Sequence, residues 1–264
     1  MNRPSGGADV RFARHRPLLS DRQWEIIREA RIVVAGAGGL GSHVLDLIVR
    51  LGVRRLEIWD PGVLDEPDLN RQSLYVHADL GRPKVEAAVE RLRAIVPDAH
   101  IEGVAEAVTP ASPLGRHIGG VDICFDCVDS FAARGALEAA VVERWNRASG
   151  EIADSIPRAN LGTRGSDDGE DIPHAIVHGG VTGYYGQVVV LRPPEVGYAA
   201  VFGNDFARTE AALKPVMPHS VAIVAATQVA ELLRWLVNPE EPTRARLVVL
   251  DALSADNRVI EVVV

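Results

Sequence analysis

The stretch that decides the fold runs from Arg31 to Asp60 and reads RIVVAGAGGLGSHVLDLIVRLGVRRLEIWD. Its short β-branched run, residues 32–35, predicts a strand, and the apolar residues that return at helical spacing after Leu40 predict a helix. The turn between them is rich in glycine and spans residues 36–41. Such a turn lets the backbone approach a phosphate, and the start of the helix directs free N–H groups and a positive dipole end toward it.

A second predicted strand, residues 55–59, ends in Asp60, nineteen residues after Gly41. An acidic side chain at this point can accept hydrogen bonds from ribose hydroxyls. Strand, glycine turn, helix, strand and carboxylate in this order predict an adenine-nucleotide site. The alternative is a tight turn within an ordinary α/β core, and the motif alone does not specify the chemistry.

The length of 264 residues fits a single large α/β domain, which we expect to span residues 1–264 with a loose polar tail at 1–10. The formal net charge of −8 disfavours a broad nucleic-acid-binding surface. Two cysteines cannot form a disulfide framework, and the N-terminal residues lack the apolar run of a signal peptide. Without an apolar stretch long enough for a bilayer, we expect a cytoplasmic protein that does not insert into membranes.

Polar side chains follow the second strand, and a lysine stands at the start of the next predicted helix. A loop over residues 61–69 is followed by Asn70, Arg71 and Gln72, at the strand end where open α/β sheets bind ligands. Lys84 begins a helix predicted to end before Pro97. A lysine at a helix start opposes the helix dipole, which hints at an anion-binding role, but the local sequence alone favours an ordinary exposed lysine.

A third buried strand is predicted over residues 121–128, with Asp129 and Ser130 at its carboxyl end. An aspartate there could hold a Mg²⁺ ion that bridges phosphates. Alternatively, Asp129 or Ser130 caps the following helix, which periodicity predicts over residues 131–145. Cys124 and Cys127 point to opposite faces of a strand, which favours core packing over redox or zinc chemistry.

The second half of the chain begins with a polar segment rich in glycine and aspartate, residues 148–172, which predicts a flexible insertion. Beyond it, the patterns predict a strand at 185–191, a helix within 218–237 and a hairpin over 247–262. His174 and His178 share a strand face without a third ligand, which favours packing over a metal site. The predicted fold is α/β, a Rossmann-like doubly wound, mostly parallel sheet extended by antiparallel strands in the C-terminal half.

Taken together, the motifs resemble the ubiquitin-activating-enzyme-like superfamily, specifically the MoeB/ThiF/HesA group of adenylating enzymes. The resemblance covers nearly the whole chain and rests on these segments in this order: RFARH at 11–15, GAGGLGSH at 36–43, Asp60, LNRQ at 69–72, GRPK at 81–84, DCVDSF at 126–131 with Arg134, GQ at 186–187 and LDAL at 250–253.

The resemblance implies ATP-dependent adenylation of the C-terminal carboxylate of a small ubiquitin-like carrier protein that ends in Gly-Gly. It assigns charge neutralisation at the phosphates to Arg71 and Lys84, Mg²⁺ binding to Asp129, and a role across a homodimer axis to Arg14. Nucleotide contacts are implied for Gly36, Gly38, Gly39, Gly41, Asp60, Pro67, Asp68, Leu69, Asn70, Gln72 and Ser130.

The chain departs from this group in features that affect the predicted zinc binding, the thioester step and the nucleotide contacts. The paired CxxC motifs that bind structural zinc in relatives are missing, so no zinc is predicted, and no cysteine follows Cys127 to serve a thioester step. Asp68 and Ser130 replace the usual asparagines. Three alternatives stay open: a relative that cyclises threonylcarbamoyladenosine on tRNA, a non-catalytic scaffold that docks a partner, and an NAD-dependent oxidoreductase that leaves Arg71, Lys84 and Asp129 unexplained.

Overall fold

The structure is a computed structural model that describes residues 10–152, 163–165, 171–193, 196–203, 215–237 and 244–263. The strands are β1 Arg31–Ala35, β2 Arg55–Trp59, β3 His100–Val104, β4 Ile123–Asp126, β5 Thr163–Gly165, β6 Asp171–Pro173, β7 Ala175–Thr182, β8 Tyr185–Leu191, β9 Arg244–Asp251 and β10 Asp256–Val263. The helices are α1 Asp21–Glu29, α2 Gly39–Leu51, α3 Lys84–Ile95, α4 Phe131–Ile152, α5 Tyr198–Phe202 and α6 Pro218–Val237.

Eight of these strands form one sheet in the order β10-β9-β8-β7-β4-β1-β2-β3. The pairs from β3 to β7 are parallel, and β8, β9 and β10 extend the sheet with antiparallel pairs. Because β1 lies between β4 and β2, the loops after all three strands meet at one edge of the sheet. The fold class predicted from the sequence is confirmed.

The hydrophobic core has one part on each face of the sheet, as a doubly wound fold requires. Alternate residues of β1 face the two sides: Ile32 and Val34 pack with α2, α3 and α6, whereas Val33 and Ala35 pack with α4 and α5. The buried residues of β1 are therefore apolar on both faces, which explains its unbroken apolar run, whereas β4 ends in the buried carboxylate Asp126.

Ser20 caps α1 by accepting a hydrogen bond from the Gln23 backbone, and Gly52 ends α2 in the left-handed conformation. Several predicted elements are confirmed. The helix that begins at Lys84, the helix over 218–237, the strand over 185–191 and the C-terminal hairpin all form.

The ends of two elements were predicted wrongly. Helix α4 runs to Ile152 rather than ending at Trp145, because helix formation does not require a continued apolar stripe once the packed part of the helix is complete. The predicted insertion therefore begins inside a helix. It also contains the short β5–β6 pair, and its residues 153–162 and 166–170 lie outside the described part, as do residues 1–9 of the predicted tail. The strand predicted over 121–128 is limited to Ile123–Asp126.

Candidate nucleotide-binding site

Two glycines of the turn between β1 and α2, Gly36 and Gly41, leave no room for a Cβ atom. Gly36 has a φ of +94°, and a Cβ atom there would lie 2.5 Å from the carbonyl oxygen of Cys127. A Cβ atom on Gly41 would overlap the carbonyl oxygen of Gly36. Gly38 stands at the N-terminal cap of α2 without a side-chain cap, which leaves backbone donors at the helix start. The turn therefore has the geometry of a phosphate-binding loop and contacts the loop after β4.

Asp60 fixes the backbone around this turn. One carboxylate oxygen accepts a hydrogen bond from the Ala37 backbone at 2.7 Å, and the other accepts one from Gly62 at 2.7 Å. The residue is 9 % exposed. Each carboxylate oxygen keeps a second acceptor position, so ribose contact is compatible with this anchoring role, which sequence reasoning missed.

Arg71 is held beside the start of α2 by the loop that follows a short 3₁₀ turn, Glu66–Asp68. Its guanidinium donates to the carbonyl oxygen of Pro67 at 2.9 Å and to Asn70 Oδ1 at 3.0 Å. Its aliphatic carbons lie 3.7 Å from the position of a Cβ atom on Gly39. Arg71 therefore lies beside Gly39, at the start of α2.

Lys84 reaches the same place from the start of α3. Its Nζ lies 3.1 Å from Asp68 Oδ2, and its Cε would be 3.3 Å from a Cβ atom on Gly62, which itself contacts Asp60. The Lys84 backbone also donates to the carbonyl oxygen of Gly62 at 3.0 Å. The side chain is 14 % exposed, so it is not an ordinary solvated lysine.

Two further side chains tie the Arg71 loop to the glycine turn. The Tyr75 hydroxyl donates to the carbonyl oxygen of Ala37 at 2.7 Å, and Ser42 Oγ accepts from the Ser73 backbone at 3.1 Å. Burial is the main cause that raises the pKa of Tyr75, which keeps its hydroxyl protonated as a donor. Sequence reasoning missed both residues because their partners are more than thirty positions away.

Of the remaining predicted loop residues, Leu69 packs partly against the core, and Pro67 and Asn70 are exposed. Gln72 is 2 % exposed and donates to Asp68 Oδ1 at 2.6 Å. Its Oε1 finds no hydrogen-bond partner among the described residues. Pro67 and Asn70 therefore face solvent, and the buried Gln72 holds the Asp68 carboxylate in place.

Asp129 and Ser130 take different roles at the start of α4. Ser130 Oγ accepts a hydrogen bond from the Ala133 backbone at 3.2 Å, which makes it the helix cap. Asp129 is exposed, and within the described ranges no donor contacts its carboxylate. Asp129 lies two positions after Cys127, and the carbonyl oxygen of Cys127 packs against Gly36. The Asp129 carboxylate oxygens are of the type that Mg²⁺ binds. The described residues contain no cluster of three or more potential metal ligands, so a Mg²⁺ ion at Asp129 would complete its coordination shell with phosphate oxygens and water.

Arg14 lies away from the glycine turn of its own chain. The adjacent His15 hydrogen-bonds the carbonyl oxygen of Leu51 at 3.1 Å, and Phe12 packs near Gly52, both at the far end of α2. A helix of this length spans about 20 Å. Arg14 is exposed and cannot serve the glycine turn of its own chain.

A buried carboxylate, Asp126, supports the loop that carries Asp129. Its Oδ2 accepts from His178 Nδ1 at 2.5 Å, from the Tyr198 hydroxyl at 2.5 Å and from Arg134 Nε at 3.2 Å, and its Oδ1 accepts from the Val128 backbone at 3.2 Å. Arg134 also donates to the carbonyl oxygen of Val128 at 3.0 Å. Burial alone would raise the pKa of Asp126. The hydrogen bond and charge of His178 oppose this effect, together with the charge of Arg134 and the hydrogen bond from Tyr198, and the pKa of Asp126 is lowered overall.

Replacing Asp126 by asparagine should lower the free energy of unfolding by about 3–5 kcal/mol at neutral pH, because the charge of Arg134 is left buried without its partner. Since the folded-state pKa is depressed, the contribution of Asp126 is present above about pH 4 and is lost as the pH falls through the folded-state value. Urea unfolding at pH 7 and pH 3 measures both effects. The exposed ion-paired Asp98→Asn variant is the control, with an expected cost below about 1 kcal/mol; equal losses in the two variants would contradict the assigned role.

A family model described as "ThiF family" matches residues 12–263. The chain belongs to the ThiF family. This membership confirms the resemblance drawn from the sequence motifs, and the glycine turn, Asp60, Arg71 and Lys84 all lie within the matched range.

Three relatives of this ThiF-family chain are named as adenylyltransferases or activating enzymes. It is 28% identical over 232 residues to the SAMP-activating enzyme E1 of Haloferax volcanii, covering 85% of this chain and 73% of that protein. It is 28% identical over 254 residues to the sulfur carrier protein adenylyltransferase of Thermus thermophilus (92% and 82% covered). It is 26% identical over 240 residues to the molybdopterin-synthase adenylyltransferase of Escherichia coli (89% and 84% covered). The predicted enzyme class, an adenylyltransferase, is confirmed.

Solved structures share the ThiF-family fold at low sequence identity. E. coli MccB with MccA-N7isoASN superimposes with a TM-score of 0.67 at 14% identity, over 97% of this chain and 72% of MccB. PaaA gives a TM-score of 0.65 at 15% identity, over 91% of this chain and 75% of PaaA. Within the described ranges, no helix has the length and hydropathy needed to cross a membrane.

Proposed function

We propose that this ThiF-family chain adenylates the C-terminal carboxylate of a small ubiquitin-like sulfur-carrier protein that ends in Gly-Gly, with ATP as the second substrate. The observation that carries the proposal is the convergence of Lys84 and Arg71 beside the glycine turn. A dinucleotide-dependent oxidoreductase would use the turn and Asp60 but has no need of two cations beside them. The names of the relatives support the carrier class of substrate.

In the proposed reaction, a carboxylate oxygen of the carrier attacks the α-phosphorus of ATP, and the bond from that phosphorus to the bridging oxygen of pyrophosphate breaks. The products are an acyl-adenylate and pyrophosphate, and no proton transfer is required. Negative charge grows on the phosphate oxygens and the leaving group, so Lys84 and Arg71 act by electrostatic stabilisation. A Mg²⁺ ion held by Asp129 would supply further neutralisation of the triphosphate.

The proposed reaction ends at the adenylate. Burial raises the pKa of the Cys124 and Cys127 thiols well above their usual value, which suppresses the thiolate that a thioester or persulfide step requires. These are the two cysteines of the sequence. Sulfur transfer to the activated carrier would then need a thiol or sulfide from another protein.

ATP–pyrophosphate exchange with labelled pyrophosphate and Mg²⁺ tests the proposal. The probes are the Gly-Gly-terminated ubiquitin-like proteins of the source genome, each paired with a version that lacks the last two glycines, and bulk tRNA. We expect exchange with at least one intact carrier, none with the truncated form and none with tRNA. Exchange that depends on tRNA, or the absence of exchange with every carrier, would contradict the proposal.

We also propose that the active unit is a homodimer in which Arg14 reaches the phosphates of the neighbouring subunit. The position of Arg14 at the far end of α2, where it cannot reach its own glycine turn, supports this arrangement. In a twofold-symmetric dimer, each site would combine Lys84 of one chain with Arg14 of the other.

Mixing two inactive variants should restore exchange. Arg14→Ala and Lys84→Ala dimers each lack one cation in both sites, but a mixed dimer carries one complete site. Random exchange of subunits at equal concentrations should recover about a quarter of the wild-type rate. Refolding the variants together and measuring exchange tests this. Mixtures as inactive as the separate variants, despite confirmed subunit exchange, would show that Arg14 acts within its own chain or outside the site.

A further inference from the structure

Asp68 lies between the two cations that would bind the triphosphate. Its Oδ2 is 3.1 Å from Lys84 Nζ, and its Oδ1 is 3.6 Å from Arg71 Nη2. The cations of the site therefore already have an anionic partner in the protein itself. An asparagine at this position would carry no negative charge and would keep one acceptor oxygen, with an NH₂ donor in place of the other.

The carboxylate is fixed in this position by two neutral donors. Gln72 Nε2 donates to its Oδ1 at 2.6 Å, and the Asp65 backbone donates to its Oδ2 at 3.2 Å. The Asp68 side chain is 15 % exposed. Because these donors do not depend on the cations, Asp68 stays within a few ångströms of the site when Lys84 and Arg71 contact a phosphate.

The charged groups that surround the phosphate position carry no net positive charge. Lys84 and Arg71 contribute two positive charges, and Asp68 and Asp60 contribute two negative charges on the same side of the glycine turn. Asp129 adds a third negative charge, and the start of α2 adds a partial positive one. This set offers no net positive charge to a metal-free triphosphate, whereas the Mg²⁺ complex, with two fewer negative charges, meets less repulsion.

We propose that Asp68 makes the site selective for the Mg²⁺ complex of the nucleotide by repelling the metal-free triphosphate from the Lys84–Arg71 pair. This inference rests on the proposed function for the identity of the ligand, and it assigns to Asp68 a role in specificity rather than in the reaction. In the free protein, Asp68 pairs with Lys84 and Arg71. A nucleotide whose negative charge is already reduced by bound Mg²⁺ can contact the same two cations beside Asp68.

The test is the affinity of a non-hydrolysable ATP analogue, measured by titration calorimetry with saturating Mg²⁺ and with EDTA. In the wild-type protein we expect the analogue to bind far more tightly with Mg²⁺. Asp68→Asn should raise the affinity for the metal-free analogue about tenfold or more and change the Mg²⁺-complex affinity much less, because one like charge is removed near the phosphates. The matched control is Glu66→Gln, an exposed acid on the same 3₁₀ turn, which should leave both affinities unchanged.

Three results would overturn the inference. One is an Asp68→Asn variant whose metal-free affinity is unchanged; if its Mg²⁺-complex affinity falls instead, Asp68 acts as a metal ligand. The second is an equal effect from Glu66→Gln, which would indicate a general surface-charge effect. The third is an absence of analogue binding to both proteins. Exchange with a carrier is measured separately, so a failed carrier assay with the expected binding pattern rejects the proposed substrate and retains the role of Asp68.

Discussion

Replacing Lys84 by methionine should reduce carrier-dependent ATP–pyrophosphate exchange about 100- to 1,000-fold. Methionine keeps the length and apolar contacts of the side chain next to Gly62 but removes the charge that we propose to act on the phosphates. The size of the effect follows from the loss of one preorganised charge from the transition state. Exchange kinetics with the wild-type carrier, over a range of ATP concentrations, measure it.

The loss should be larger in the turnover number than in ground-state affinity. Asp68 neutralises part of the Lys84 charge in the free protein, so the lysine contributes most when negative charge grows during the reaction. We expect the dissociation constant of the ATP analogue to change less than about tenfold. Arg82→Ala is the matched control, since Arg82 pairs with Asp79 and Glu90 instead of the site. A Lys84→Met enzyme with wild-type turnover would exclude Lys84 from the reaction.

Gly41→Ala should eliminate binding of the nucleotide analogue and lower the free energy of unfolding by more than about 2 kcal/mol. The new Cβ would overlap the carbonyl oxygen of Gly36 and approach Cys127 Cβ within 3.5 Å, so the turn between β1 and α2 must open. Opening this turn moves the backbone donors at the start of α2 away from the phosphate position. Calorimetry with the analogue and urea unfolding measure the two effects.

The matched control is Gly135→Ala on α4, where, apart from the adjoining residues and backbone of the helix itself, no described atom lies within 4 Å of the new Cβ. This substitution should stabilise the protein by about 0.5–1 kcal/mol, because glycine is unfavourable inside a helix, and should leave analogue binding intact. Normal nucleotide binding by Gly41→Ala would contradict the assignment of the glycine turn as the phosphate site.

The parts of the site that sequence predicted are those encoded within a short segment. The glycine turn and Asp60 after β2 are each defined by local strand and turn patterns, and parallel strands bring their ends to one edge. Arg71 and Lys84 were assigned through the family resemblance, and the structure places Arg71 beside Gly39 and Lys84 beside Gly62.

The parts that sequence did not predict depend on which strands become neighbours. Asp126 meets His178 and Tyr198 across 52 and 72 residues because β7 pairs with β4, and sheet order is not a local property. The sequence did carry one indication, because an acidic residue within a buried strand needs hydrogen-bond donors. The sequence pattern does not identify which residues donate to it. The double role of Asp68, contacting both cations of the site, likewise required coordinates.

The most direct test of the central claim is intact-mass spectrometry of the carrier protein after incubation with this chain, ATP and Mg²⁺. We predict that the intact Gly-Gly carrier gains the mass of one adenylyl group, that hydroxylamine removes this group as expected for an acyl-adenylate, and that Lys84→Met prevents its formation. A carrier that stays unmodified while the protein binds the ATP analogue normally would contradict adenylation of a Gly-Gly carboxylate as the function of this site.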